Sequence, residues 1–130
     1  SGGEQQRVQL ARVLCQVWAP VLEGNPRFLL LDEPVSSLDI KHQLTIMRIA
    51  REFADRGGGT VAILHDLNLA SMFSDRIYVM HRGRIAASGT PAEVLRDELI
   101  SRVFECAMKV GVPAPMGMPY VLPQTATIAL

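Results

Sequence analysis

FLLLDEPVSSLD, residues 28–39, decides the fold. Four apolar residues, Phe28 to Leu31, run directly into two carboxylates, Asp32 and Glu33. A short apolar run bounded by turn signals predicts a strand buried on both faces, as in the parallel sheets of α/β proteins. Open α/β sheets bind ligands beyond the carboxyl ends of their strands, so the pair is expected at such an edge. Charge taken out of water is costly unless a metal, a partner or a reaction engages it. A magnesium ion with a nucleotide phosphate suits this pair. Asp32 would hold the metal, directly or through water, and Glu33 would polarise an attacking water. Carboxylates also close strands as plain polar turns, so Asp-Glu alone leaves both readings open.

Two further segments point toward the same chemistry. The chain opens SGGEQQRVQLARVLCQVW. Val8, Ala11, Leu14 and Val17 recur at helical spacing, and Leu10, Val13 and Trp18 widen the stripe. Ser1, Gly2 and Gly3 at the start of that helix leave backbone N–H groups approachable, and the helix dipole favours an anion such as phosphate there. By itself Ser-Gly-Gly is as readily a flexible loop or cap. The other segment is TVAILHDLNLA, residues 60–70. Thr60 to Leu64 reads as another buried strand, and His65 follows its carboxyl end as Asp32 follows the first. A lone histidine is ordinarily structural or superficial; two strand ends can nevertheless face one site.

In order and spacing these pieces resemble the ATP-binding subunits of ABC transporters. SGGEQ is similar to the signature motif, with Glu4 where glutamine is commonest and without the usual leading leucine. FLLLDE resembles the Walker B strand, with Asp32 the magnesium residue and Glu33 the catalytic carboxylate. Ser36, Ser37, Leu38 and Asp39 resemble the D-loop, and His65 the switch histidine that contacts the γ-phosphate. Pro34 fits the same pattern. The motifs cover residues 1–66, and GRIAASGTPAEVL looks like the tail of the same family. Within the family, HDLNLA and its surroundings are most similar to the ATPases of iron-chelate importers, haemin importers above all. The resemblance implies an α/β fold: a P-loop NTPase of the ABC type, C-terminal part only.

One element is missing from these residues. No G-x-x-x-x-G-K-[ST] occurs, although that loop cradles the phosphates with its backbone amides, lysine and hydroxyl. The glutamine switch loop and the adenine-stacking aromatic are not found either. The chain is therefore expected to be a fragment, inactive in isolation and an ATPase as part of the full-length protein. The resemblance further implies ATP and Mg2+ as cofactors and a head-to-tail pair of two copies with two ATP molecules between them. Ser1, Gly2, Gly3 and Glu4 would touch the partner's ATP. Asp32, Glu33 and His65 would serve their own, and Asp39 would sit at the seam. Closure of the pair would complete each site and exclude water. Transmembrane permease subunits and, indirectly, a periplasmic binding protein are the implied partners, at the cytoplasmic face of a bacterial inner membrane.

Composition agrees with these expectations. Hydrophobic residues make up 48% of 130, enough for a core, while formal net charge is zero, which argues against a broad nucleic-acid surface. The apolar runs are far too short to span a bilayer. Cys15 and Cys106 lack a CxxC spacing and read as reduced thiols, Cys15 as a small buried hydrophobe.

Elements alternate along the chain. Asp39 is placed to cap a helix over 40–56 that buries Leu44, Met47 and Phe53, and Gly57 to Gly59 end it. A helix over 67–73 is followed by strands at 76–81 and 84–88 joined at Arg82-Gly83. Thr90-Pro91-Ala92-Glu93 predicts a capping box. A helix over 97–104 and a strand over 108–112 complete the pattern. Three regions are expected: 1–89 as the ATPase part, 90–112 as a short helical extension, and 113–130 as a proline-rich, loosely ordered tail. His42 and His81 lack metal-ligand spacing and read as surface or turn residues. Arg48, Arg51 and Arg56 read as a solvated helix face.

Two other functions fit part of the pattern. A chromosome-maintenance or DNA-repair ATPase of the same superfamily can carry SGGE and a DE strand, though neutral charge and the absence of heptads speak against it. A truncated, non-catalytic assembly or regulatory piece is the other.

Overall fold

The computed structural model describes residues 2–16 and 19–127, apart from the side chains of residues 6, 13, 14 and 16. Ser1, Val17 and Trp18, all named above, lie outside the described residues. In chain order the elements are α1 (Gly2–Gln16), β1 (Val21–Leu22), β2 (Asn25–Pro26), β3 (Phe28–Asp32), α2 (Ile40–Asp55), β4 (Gly59–Ile63), α3 (Leu67–Phe73), β5 (Ile77–His81), β6 (Arg84–Gly89), α4 (Pro91–Val94) and α5 (Asp97–Val103), then a 3-10 turn at Pro123–Thr125. The residues through Leu69 make one compact unit and Ala70–Ala126 a second.

In the first unit β3 and β4 pair in parallel, with Phe28 opposite Gly59 and Asp32 opposite Ile63. The apolar run and the β-branched content of residues 60–63 favour strands, and a parallel pair needs a crossover, which α2 supplies. Asp39 caps α2 as expected: its Oδ1 accepts from the His42 backbone N–H at 3.0 Å. α2 buries Leu44, Ile46, Met47, Ala50 and Phe53, a stripe at helical spacing. Leu29, Leu31, Ala50 and Phe53 form the core of this unit, with Leu10 and Ala62 packed against it.

The expectation that the strands are buried on both faces is corrected. Leu29 and Leu31 are 1% and 8% exposed, whereas Phe28 and Leu30 are 66% and 74% exposed. Val61 and Ile63 of β4 are exposed as well. Successive strand side chains point to opposite faces, and α2 covers only one of them. The α1 stripe is also corrected. Val8 and Ala11 are exposed, as is Cys15, while Leu10 of the same stripe packs against the core; the side chains of Val13 and Leu14 lie, with Val17 and Trp18, outside the described residues. Cys15 is thus not a buried hydrophobe.

In the second unit β5 and β6 form an antiparallel hairpin with a bulge between Val79 and Met80. Arg82 and Gly83 both take positive φ, 50° and 74°, the backbone of the two-residue turn whose twist matches paired strands. The Thr90 capping box is present in both directions: Thr90 N–H donates to Glu93 Oε2 at 2.8 Å, and Glu93 N–H donates to Thr90 Oγ1 at 3.4 Å. Val79, Val94 and Ile100 are buried in this unit. The expected strand over 108–112 does not form. Met108 is held instead by its backbone N–H donating to Ser101 Oγ, and Val110 by its N–H donating to Asp97 Oδ1. Those side chains satisfy backbone groups that a strand would have paired.

Candidate functional site

The parallel register brings the sequence-predicted groups to one sheet edge. Asp32 ends β3 opposite Ile63, the last residue of β4. The next backbone N–H, that of Glu33, donates to the Ile63 carbonyl at 3.1 Å and extends the ladder one step. Glu33 then turns sharply, with φ at 48°. A glutamate in this left-handed region is strained, and such strain gathers at functional sites. From β4 the chain continues through Leu64 to His65. Asp66 sets the start of α3: its Oδ1 accepts from the backbone N–H groups of Asn68 and Leu69 at 2.8 and 3.0 Å, capping the helix.

This geometry sets His65 Nε2 at 2.6 Å from Glu33 Oε1. An ionised carboxylate only accepts, so Nε2 carries the proton and donates. Both side chains remain open to solvent, His65 more than Glu33. Asp32 stands beside the pair and is exposed. No hydrogen bond or ion pair among the described residues engages its carboxylate. A hard, exposed carboxylate oxygen of this kind fits Mg2+, which takes one or two carboxylates and keeps its other positions for water and phosphate. Among the described residues no cluster of three or more potential ligands occurs, so a metal here would depend on such outside oxygens.

Of the remaining candidates, Gly2, Gly3 and Asp39 meet at a second place in the same unit. Gly2 and Gly3, at the start of α1, line a cavity of about 430 Å³ with Arg7, Leu38, Asp39 and His42. A Cβ at Gly3 would meet Leu38 Cδ2 at 3.1 Å and the Ser37 carbonyl oxygen at 3.4 Å, whereas one at Gly2 would meet nothing within 4 Å. Glycine at position 3 lets the helix start approach the 36–39 loop, and Gly2 faces open space. Glu4 lies in the first turn of α1. Backbone turns hold the loop, with Ser36 N–H donating to the Glu33 carbonyl and Leu38 N–H to the Val35 carbonyl.

Asp39 does more than cap. His42 Nδ1 lies 2.7 Å from its Oδ1, and Arg7 Nη1 lies 2.8 Å from His42 Nε2. The Asp39 carboxyl is held below the usual aspartate range, first by the His42 backbone N–H, then by the His42 side chain, with Arg7 adding a smaller attraction. Sequence spacing set His42 aside and did not single out Arg7, because nothing in the local pattern brings residues 7 and 42 together. The weak signal available was the position of His42 in the first turn after the Asp39 cap.

No protein-family model matches the chain. Curated relatives do. Hemin import ATP-binding protein of Mesorhizobium japonicum is 73% identical over 126 residues, covering 97% of this chain and 48% of that protein. Its counterpart from Rhizobium meliloti is 65% identical over 128 residues, 98% of this chain and 49% of that protein. The one from Ruegeria sp. is 61% identical over 127 residues, with 97% and 48% covered. The chain thus spans about half the length of the curated relatives it matches. Solved structures agree on the fold. An ATP-binding cassette of an ABC transporter in its ADP conformation matches with a TM-score of 0.63 and 26% identity, over 81% of this chain and 40% of that one. A nucleotide-free ATP-binding cassette from an ABC transporter matches with a TM-score of 0.56 and 26% identity, over 81% and 36%. None of these proteins is named for DNA maintenance, so the DNA-repair reading is not favoured. Sequence and fold together make this chain part of an ATP-binding cassette of the ABC-transporter type.

Proposed function

We propose that the chain supplies the hydrolytic edge of a full-length ATPase subunit that energises import of hemin, or a related iron chelate, across a bacterial inner membrane. The observation that carries the ATPase reading is the Glu33–His65 contact at the carboxyl edge of two parallel strands, beside Asp32. The hemin reading rests on relatives named as hemin import ATP-binding proteins.

Mg2+ bound with ATP would supply neutralisation of the phosphate charge. Asp32 would hold the metal through its free carboxylate. Glu33 acts as general base and takes a proton from the attacking water. His65 donates its Nε2–H, now on Glu33, toward the place where negative charge grows. Gly2 and Gly3, with Ser1 and Glu4 beside them, present the start of α1 to the ATP held by a second copy, and Asp39 stands at the seam between the copies. The working state in this reading is a head-to-tail pair at the cytoplasmic face of the membrane. It docks on permease subunits and is served indirectly by a periplasmic binding protein, with no nucleic acid involved. No described helix is long and apolar enough to cross a membrane.

The test is ATP-driven hemin uptake by proteoliposomes holding the full-length subunit and its permease. Uptake that requires ATP and stops with Glu33→Gln supports the reading. ATP hydrolysis with uptake of a different cargo would sink the hemin assignment alone, and absence of hydrolysis would sink the whole.

A further inference from the structure

The Arg7–His42–Asp39 chain of contacts takes no part in the chemistry above, yet it spans two elements that do. Arg7 lies in the second turn of α1, whose first residues are the glycines, and Asp39 closes the 36–39 loop. His42 stands between them. Arginine carries donors only, so His42 Nε2, at 2.8 Å from Arg7 Nη1, must accept. The proton then sits on Nδ1, which donates to Asp39 Oδ1 at 2.7 Å. The neutral Nδ1–H imidazole satisfies both partners at once. An imidazolium would keep the Asp39 bond but turn an N–H toward the guanidinium, setting donor against donor and cation against cation.

The elements that meet at the ring carry Glu4, Arg7 and Arg12 on α1, Asp39 at the end of the loop, and Lys41, Arg48, Arg51, Glu52 and Asp55 on α2. Of these, Arg7 and Asp39 touch the ring. A Cβ at Gly3 would already be within 3.1 Å of Leu38, so the helix start and the loop move together or clash.

We propose that His42 is a positioning residue that ties the glycine-bearing start of α1 to the 36–39 loop, and that it does so only as the neutral imidazole. The proposal rests on the ATPase reading above for its effect on turnover, but the tie itself does not. Its consequence is an acid-sensitive coupling. When the ring takes up a second proton the Arg7 contact is lost, the Asp39 contact stays, and α1 is released from the loop.

The experiment uses the full-length cassette. His42→Leu removes both bonds and is expected to lower kcat about tenfold, the scale of a lost charge-assisted hydrogen bond, with ATP affinity within about twofold of wild type. His42→Gln offers one amide that can accept from Arg7 and donate to Asp39 without titrating. It is expected to restore most of kcat and to move the acid limb of the pH profile to lower pH. Turnover of His42→Leu equal to wild type overturns the proposal, as does a His42→Gln profile that superposes on the wild-type one. Glu33→Gln in the same assay separates the two readings: if it leaves turnover intact, the ATPase role fails on its own account. Ring 15N signals of His42, recorded without nucleotide, then judge the tie directly. A protonated Nδ1 at neutral pH supports it, and a protonated Nε2 overturns it whatever the turnover.

Discussion

His65 Nε2 lies 2.6 Å from Glu33 Oε1, although the two residues stand 32 apart in the chain. One follows β3 and the other follows β4, and the parallel pairing of Asp32 with Ile63 delivers both to the same edge. The contact makes the two side chains a unit, so their substitutions test each other.

Glu33→Gln keeps an oxygen that can accept from His65 but removes the carboxylate proposed as the base. In the full-length cassette the expected loss of turnover is about a hundredfold or more, with ATP binding retained. Steady-state hydrolysis and equilibrium nucleotide binding read the two quantities separately. Unchanged turnover would remove Glu33 from the chemistry.

His65→Ala removes the donor proposed to serve developing negative charge. The expected cost is again about a hundredfold in turnover. The double variant with Glu33→Gln should cost far less than the product of the two, because residues acting as a unit are not additive. Independent, multiplying effects would mean that the 2.6 Å contact has no role in turnover.

A Cβ at Gly2 meets nothing within 4 Å inside the chain. Gly2→Trp should therefore leave far-UV circular dichroism and thermal midpoint close to wild type while blocking ATP-driven pairing of two copies. Size-exclusion chromatography of a hydrolysis-deficient background, with and without ATP, distinguishes the outcomes. ATP-dependent pairing that survives in Gly2→Trp would place the glycines away from the interface.

Leu29 is 1% exposed at the centre of the core formed with Leu31, Ala50 and Phe53. Leu29→Ala should cost about 2–5 kcal/mol of stability, the transfer loss plus a cavity. Denaturant unfolding measures it. A loss below about 1 kcal/mol would mean that the site closes over the deletion or is not core.

The Asp39 carboxyl is depressed by its bonds from His42. A group whose folded pKa is lowered stabilises the fold above its unfolded pKa and loses that contribution as pH falls through the folded value. The cap of α2 should thus persist through the ordinary aspartate range and weaken only in stronger acid. A carboxyl 13C titration of Asp39 checks this; a midpoint at or above the ordinary aspartate value would contradict the bonds that His42 makes to it.

Much of this was legible from residues alone, for local reasons. The alternation of strands and helices, the Asp39 cap, the Arg82-Gly83 turn and the Thr90 box depend on neighbours within about four positions, and side-chain chemistry there is nearly independent of the rest of the chain. The nature of the candidate site was legible for another reason. Asp-Glu after an apolar run and His after a second such run are each ambiguous, but their order and spacing resemble one family.

What the sequence could not decide was which faces are covered and which distant groups touch. Phe28 and Leu30 are as apolar as Leu29 and Leu31, and only the position of α2 on one side of β3 makes the second pair core and the first pair surface. Val8, Ala11 and Cys15 follow a helical period perfectly well yet are exposed. Arg7 and His42 are 35 positions apart, beyond any local pattern, so their bond exists only once the start of α1 rests against the loop that caps α2. Sequence by itself determined most of the elements, the Asp39 and Thr90 caps and the chemical kinds present, because those follow from short-range backbone and side-chain physics. Tertiary structure alone decided burial and the two contact chains, Glu33–His65 and Arg7–His42–Asp39, because packing and strand register bring together groups that the chain holds far apart.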